Sequence, residues 1–263
     1  MTTVNRHGRD ITFPDLPGGT ETPYVYRDFQ RGGWYEEKFL EHIRSQGTTR
    51  SSLRPPPQEG VYVDAGAHLG TATAWFAMLC PAATHVHAIE PVTHFADQVQ
   101  RVIDANDLNT RVTLHRVGVS DQAGTATNHL TAEHQIGFHE VGETRAVDET
   151  FEVTTLDDLI SDPVAVIKID VEGMEDRVLR GAHRILTENS PTVYVEAHNR
   201  SRLKDIRDVL SPVGYFPTGK VFNATPTYEF SRLTPPGASI SIAAHQITYA
   251  ARRTAWKVAK KVR

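Results

Sequence analysis

The side chains best suited to chemistry fall at one kind of place, the end of an apolar run just before a turn. Asp64 ends "VYVD" (61–64), Glu90 ends "THVHAIE" (84–90), and Asp170 ends "VAVIKID" (164–170) with Glu172 two positions on. Glu196 and His198 stand in "PTVYVEAHN" (191–199). In "VYVDAGAHLGTAT" the run leads through Gly66 and Gly70, with Ala67 and His68 between them, into an apolar stretch with the look of a helix. A pyrophosphate often sits at such a turn. Here the three-glycine dinucleotide fingerprint is not met, and the Asp64 carboxylate would repel a phosphate. A ligand carrying an ammonium group would be drawn in. Glu90, placed to accept both hydroxyls of a ribose, is compatible with several nucleotides. Asp64 and Glu90 together favour S-adenosylmethionine, whose methionine end has an α-amino group and a sulfonium cation; an NAD enzyme is the weaker alternative.

Methyl transfer to an alcohol needs alignment of acceptor and methyl, and a base within hydrogen-bond reach of the hydroxyl proton. His198 is the natural base, since imidazole titrates near neutral pH. Asp170 and Glu172 would position the acceptor or a metal. Asp170, Glu196 and His198 could also form an oxygen-rich Mg²⁺ site. The competing readings are a surface histidine for His198 and a helix-start acid for Glu172. The single cysteine, Cys80, excludes a disulfide framework and a cysteine-rich zinc site. His129, His134 and His139, spaced five apart, match no zinc pattern and read as lid residues.

Apolar strands alternate with amphipathic segments from residue 61 to residue 214, which predicts a parallel sheet with helices on both faces. Strands are expected at 61–65, 84–90, 111–119, 164–170 and 191–197, with helices after most of them. Residues 1–33 read as a loose arm, "WYEEKFLEHIRSQG" as a helix and the proline run near residue 56 as a linker. Trp34 and Tyr35 would either close over a ligand or pack on the sheet. The polar segment 120–155 reads as an extra hairpin or a substrate lid. The expected division is an N-terminal arm and helix (1–59), a binding domain (60–230) and a basic tail (231–263).

Net charge is −4, yet seven basic and no acidic residues follow Glu229. The terminal stretch "ITYAARRTAWKVAKKVR" reads as a helix, either solvated or in peripheral contact with an anionic membrane. No apolar run is long enough to cross a membrane and no signal peptide is evident, so cytoplasmic residence is the expectation.

"VDAGAHLGTAT", "IEP", "GVSD", "TLDDL" and above all "VIKIDVEGMEDRVLRGAHRIL", in that order, resemble the FkbM-type methyltransferases over about residues 60–200. The resemblance implies a class I methyltransferase fold, an α/β Rossmann-like doubly wound and mostly parallel sheet, with S-adenosylmethionine as methyl donor. It implies O-methylation of a sugar, glycolipid or natural product, the partner being a small-molecule, saccharide or lipid-linked acceptor rather than a nucleic acid. N-methylation of an amine and a non-catalytic binding protein are the alternatives. Carried onto this chain, Asp64, Gly66, His68, Gly70 and Thr71 would surround the methionine end, Glu90 the ribose, and Ser120 and Asp121 the adenine, with Asp170 close to the donor. His68 departs from the Asn common at its position.

Overall fold

The computed structural model describes residues 1–15, 28–29, 32–46, 59–128 and 149–232. The lid histidines, the proline linker and the tail beyond residue 232 lie outside the described residues.

The first strands are β1 (Thr2–Arg6) and β2 (Arg9–Phe13), an antiparallel hairpin where a loose arm was expected. The reason is its two-residue turn. His7 and Gly8 both have positive φ, 50° and 76°, which matches the twist of the flanking strands. The alternation then buries Val4, Ile11 and Phe13. Helix α1 (Glu37–Gln46) follows, burying Phe39, Leu40 and Ile43 at helical spacing.

The core sheet takes β3 (Gly60–Ala65), β4 (Ala83–Ile89), β5 (Val112–His115), β9 (Val164–Ile169), β10 (Thr192–Glu196), β11 (Phe216–Phe222) and β12 (Thr227–Ser231) in the order β11-β12-β10-β9-β3-β4-β5. The five strands from β10 to β5 run parallel, and β12 and β11 add an antiparallel hairpin at the other edge. Connecting helices include α2 (Thr71–Leu79), α3 (Thr93–Ala105), the short α4 (Leu156–Leu159) and α6 (Arg200–Leu210). Strand β3 alternates between two cores: Val61, Val63 and Ala65 face one, Tyr62 the other with Trp75 and Phe76 of α2. Its buried partner β9 has four β-branched residues in six, as suits a strand covered on both faces.

Two expectations change. The strand expected at 111–119 is broken after His115; β6 (Gly118–Val119) leaves for a small second sheet with β7 (Gly124–Asn128) and β8 (Glu149–Thr154), so the described part of the insertion is a hairpin. The helix expected after "KIDVEG" is interrupted: α5 (Glu175–Arg180) ends at Gly181, and a π-helical turn covers Ile185–Asn189. Of the two roles open to Trp34, the structure shows packing: it meets Trp75 edge-on at 5.0 Å and is buried in the core.

Candidate active site

The chain leaves β3 for β4 on one side and later starts β9 on the other, so the crevice beyond the carboxyl ends of β3 and β9 is the topological switch point. Gly66, Glu90, Asp170 and Glu196 all sit at carboxyl ends of parallel strands. The turn after β3 is pinned to its neighbours: Gly66 and Ala67 donate their N–H groups to the Ile89 carbonyl, both at 3.0 Å, and Asp170 donates to Ala65 at 3.0 Å. Gly66 has φ 84°, and a Cβ there would lie 1.8 Å from the Asp170 carbonyl oxygen. Only glycine fits that approach. Gly70, at φ 78°, ends the turn and leaves the start of α2 without a side-chain cap, with Thr71 half-buried in its first position.

Asp64 is fully buried and both its oxygens are engaged. Oδ2 accepts from Thr73 Oγ1 at 2.6 Å, and Oδ1 accepts from Lys168 Nζ at 3.1 Å. Asp64 and Lys168 are register partners on β3 and β9, which puts both on the same face. Asp64 was expected to meet a ligand ammonium directly; here its carboxylate serves an internal ion pair with Lys168. Lys168, missed in the sequence, also donates to the Gly66 carbonyl at 3.3 Å and lies 3.8 Å from Asp170 Oδ2. Burial opposes its charge, but Asp64, Asp170 and Glu36 outweigh burial and hold the ammonium charged. A lone lysine in "VAVIKID" was the available signal, because a buried cation demands a carboxylate.

Glu90 is buried and folds back on the turn. Oε2 accepts from the His68 N–H at 2.9 Å and Oε1 from the Val92 N–H at 3.0 Å. Burial raises its pKa to about 7, against those two bonds. A carboxylate offers roughly four acceptor sites, so two remain for ribose hydroxyls. His68 takes a left-handed backbone, φ 50°, and its ring meets Phe95 edge-on at 4.3 Å. Burial lowers its pKa to about 4, leaving a neutral imidazole.

On the β9–β10 side, Asp170 and Glu196 lie close together, and Glu196 is pushed up to about 8, first by burial and then by the Asp170 carboxylate. His198 Nε2 lies 3.1 Å from Glu196 and 3.6 Å from Glu172. These two carboxylates hold the imidazole protonated, its pKa raised to about 10. His198 was expected as a free general base; its two carboxylate neighbours instead favour the protonated ring. Glu172, in the left-handed region at φ 54°, leads into Gly173, whose N–H bonds Glu175 Oε1 at 2.8 Å. Glu175 is buried and was also missed. No group of His, Cys, Asp and Glu among the described residues is arranged to hold a metal ion, so the expected Mg²⁺ site gains no support.

Ser120 and Asp121 stand apart from this cluster. Ser120 is buried and lines a groove beside β7 with Met174 and Arg177, while Asp121 takes two bonds from Arg177, at 3.0 and 3.1 Å, which keep it ionised.

Two flanking residues complete the crevice. Glu36 lies near Asn223, whose Nδ2 donates to Thr227 Oγ1 at 3.0 Å, and Glu36 is pushed up to about 7, chiefly by burial and against the pull of Lys168. Asp170 and Asp64 are its other charged neighbours. Among the described residues, seven non-glycine residues have positive φ, and four of them belong to this crevice: Glu36, His68, Glu172 and Asn223. Such strain is tolerated where the surroundings over-determine it, commonly at functional sites.

The arrangement fits the cationic donor. A strained glycine turn leads to an uncapped helix start suited to a carboxylate, Glu90 retains acceptors for a ribose, and carboxylates exceed cations at the methionine side.

The model of the methyltransferase FkbM domain matches residues 64–217, more than half of the chain. Among solved structures, methyltransferase FkbM from Methylobacillus flagellatus KT matches with a TM-score of 0.52 at 21% identity, over 74% of this chain and 50% of that one. This chain thus spans half the length of that protein. A precorrin-6y C5,15-methyltransferase from Geobacter metallireducens GS-15 has a TM-score of 0.44 at 15% identity, covering 74% of this chain and 85% of its own. A SAM-dependent O-methyltransferase from Thermotoga maritima has 0.46 at 12% identity, covering 75% and 65%. No curated protein matches the chain.

Proposed function

The chain belongs to the FkbM methyltransferase family and has the class I methyltransferase fold, and on that premise we propose that it transfers a methyl group from S-adenosylmethionine to a hydroxyl oxygen of a sugar, glycolipid or natural product. The observation that carries the hydroxyl reading is the linked group Asp170–Glu196–His198 at the ends of β9 and β10. An amine acceptor needs only its free base; an alcohol needs a proton acceptor beside it. The bound donor supplies a methyl group on a cationic sulfur, a leaving group that needs no protonation.

The chain's residues supply the rest. The turn from Gly66 to Gly70 and Glu90 orient the donor. The Asp170–Glu196 pair takes the hydroxyl proton. A nearby sulfonium would favour the ionised form of that pair, since an opposite charge lowers a carboxyl pKa. His198, already an imidazolium, offsets the negative charge the pair gains. Ionisation of Glu196, whose pKa is raised to about 8, makes the rate climb as pH rises toward that value.

The test is calorimetric titration with S-adenosylmethionine, followed by transfer of labelled methyl to a panel of hydroxyl-bearing saccharides, glycolipids and amines. Wild type should bind the donor and label hydroxyl acceptors, and Glu196→Gln should keep donor binding while losing about 10²–10⁴-fold in rate. Labelling of amines alone, or an unimpaired Glu196→Gln, refutes the hydroxyl reading. On membranes, no described helix is long and apolar enough to cross one.

A further inference from the structure

Residues 64–217 carry the family match, yet two side chains outside that segment reach the crevice. Glu36 precedes α1, and Asn223 lies in the turn between β11 and β12. Glu36 is held between two anchors. On one side Trp34 packs on Trp75 of α2, the helix that follows the glycine turn, with ring centres 5.0 Å apart. On the other, Phe39 packs on Tyr194 at 5.3 Å and Phe222 at 5.5 Å. The Glu36 carbonyl accepts from Phe39 at 2.9 Å and Leu40 at 3.1 Å, so the residue also opens the helix. Its backbone is left-handed at φ 58°, as is that of its neighbour Asn223 at φ 64°. A glutamate has no local preference for that conformation. Surface positions seldom retain it, whereas a doubly anchored one can.

The groups facing the Glu36 carboxyl are Lys168 and Asp170 from the end of β9, Asp64 from β3 and Asn223 from the β11–β12 turn. Lys168 is spent on Asp64 and the Gly66 carbonyl. The Gly66 turn is where the methionine end of the donor would lie. We infer that Glu36, which lies outside the matched segment, is a donor-binding residue, its carboxylate receiving the α-ammonium of the methionine end with Asn223, held by Thr227 at 3.0 Å, beside it. The inference rests on the donor reading above. Burial leaves Glu36 half-protonated near neutral pH, so capture of an ammonium expels that proton.

The experiment compares S-adenosylhomocysteine, which keeps the amino-acid end, with 5′-methylthioadenosine, which lacks it. Calorimetry at pH 7 uses two buffers of different ionisation heat, on wild type, Glu36→Gln and Asn223→Ala. The expected result is a loss of roughly tenfold or more in S-adenosylhomocysteine affinity for Glu36→Gln, a smaller loss for Asn223→Ala, and unchanged 5′-methylthioadenosine binding. Wild type should also release part of a proton on binding S-adenosylhomocysteine that Glu36→Gln does not. If Glu36→Gln does not fold, the same contrast between the two ligands in Asn223→Ala carries the test. Equal effects on both ligands, or none on either, overturn the inference and leave the donor reading standing. Failure of wild type to bind either ligand overturns both.

Discussion

Lys168→Met is the perturbation whose magnitude follows most directly from the geometry. The lysine is 6% exposed and Asp64 is 0% exposed, and their oxygen and nitrogen are 3.1 Å apart. Water reaches neither, so the variant leaves a carboxylate buried with only the Thr73 hydroxyl. Breaking a buried pair by removing one partner costs about 3–5 kcal/mol, because the remaining charge is uncompensated. At about 2–4 °C per kcal/mol for a large single domain, the melting temperature should fall by roughly 6–20 °C. The cost should come from the orphaned charge and not from lost packing, since Met replaces most of the lysine stem. A second substitution therefore discriminates. Asp64→Asn in the Lys168→Met background removes the charge yet keeps an acceptor for Thr73, and should recover more than half of the loss. Urea unfolding of the two single variants and the double variant completes the cycle. A coupling below about 0.5 kcal/mol, the usual error of additivity, would show that the pair is not what holds β3 to β9 there.

Other expectations follow from the same crevice. Gly66→Ala should be strongly destabilised or insoluble, since its methyl would meet the Asp170 carbonyl at 1.8 Å and φ 84° disfavours any side chain; normal stability by thermal melting refutes the close approach. His198 should remain an imidazolium above pH 8 in nitrogen-15 spectra, and Glu172→Gln should lower its titration midpoint. Because the folded pKa is raised from 6.5 to about 10, the stability it brings is complete below pH 6.5 and lost as pH rises toward 10, a slope that His198→Gln should lack. Glu90→Gln should weaken donor binding by about 1–3 kcal/mol if the ribose is held there, and unchanged affinity with the fold intact excludes that role.

The parallel strands were legible because their apolar runs end abruptly in an acid or a glycine, and so the carboxyl ends that form the crevice were legible too. The β11–β12 hairpin was not. β11 contains Pro217 and Gly219, and its register shifts between Pro217 and Val221, which only an edge strand tolerates. The N-terminal hairpin hid behind two short strands whose signal, His7–Gly8, is an uncommon form of a familiar turn. Within the site, residue type was readable but partner was not. Asp64 looked like a ligand-facing acid because its position at a strand end was visible, while the lysine across the register was 104 positions away. His198 looked like a base because Glu172, the second carboxylate beside it, is 26 positions away and converges on it only in three dimensions. Glu36 gave no signal, since nothing about a glutamate announces a left-handed backbone.

The distribution of charge also constrains how the proposed reaction gains its rate. During methyl transfer the sulfur loses its positive charge, so a carboxylate aimed at the sulfonium would stabilise the reactant more than the transition state and slow the step. Carboxylates at the α-ammonium or the ribose carry no such penalty, because those groups keep their charge and hydrogen bonds from reactant to product. The crevice divides along this line. Glu36 and Glu90 stand where the two ends of the donor would be bound uniformly. Asp170 and Glu196 stand together, with His198 behind Glu196, at the strand ends where the acceptor's proton must go. The buried Lys168 neutralises Asp64 and lies 3.8 Å from Asp170, which reduces the negative potential between these groups. Replacing Lys168 should therefore alter more than stability. In a soluble, folded fraction of Lys168→Met the donor-to-product affinity ratio should shift toward the cationic S-adenosylmethionine over S-adenosylhomocysteine, since the uncancelled carboxylate favours the extra positive charge. Competition between the two ligands, measured at low and high salt, reads that ratio. A ratio unchanged from wild type would show that the lysine does not set the potential at the sulfur.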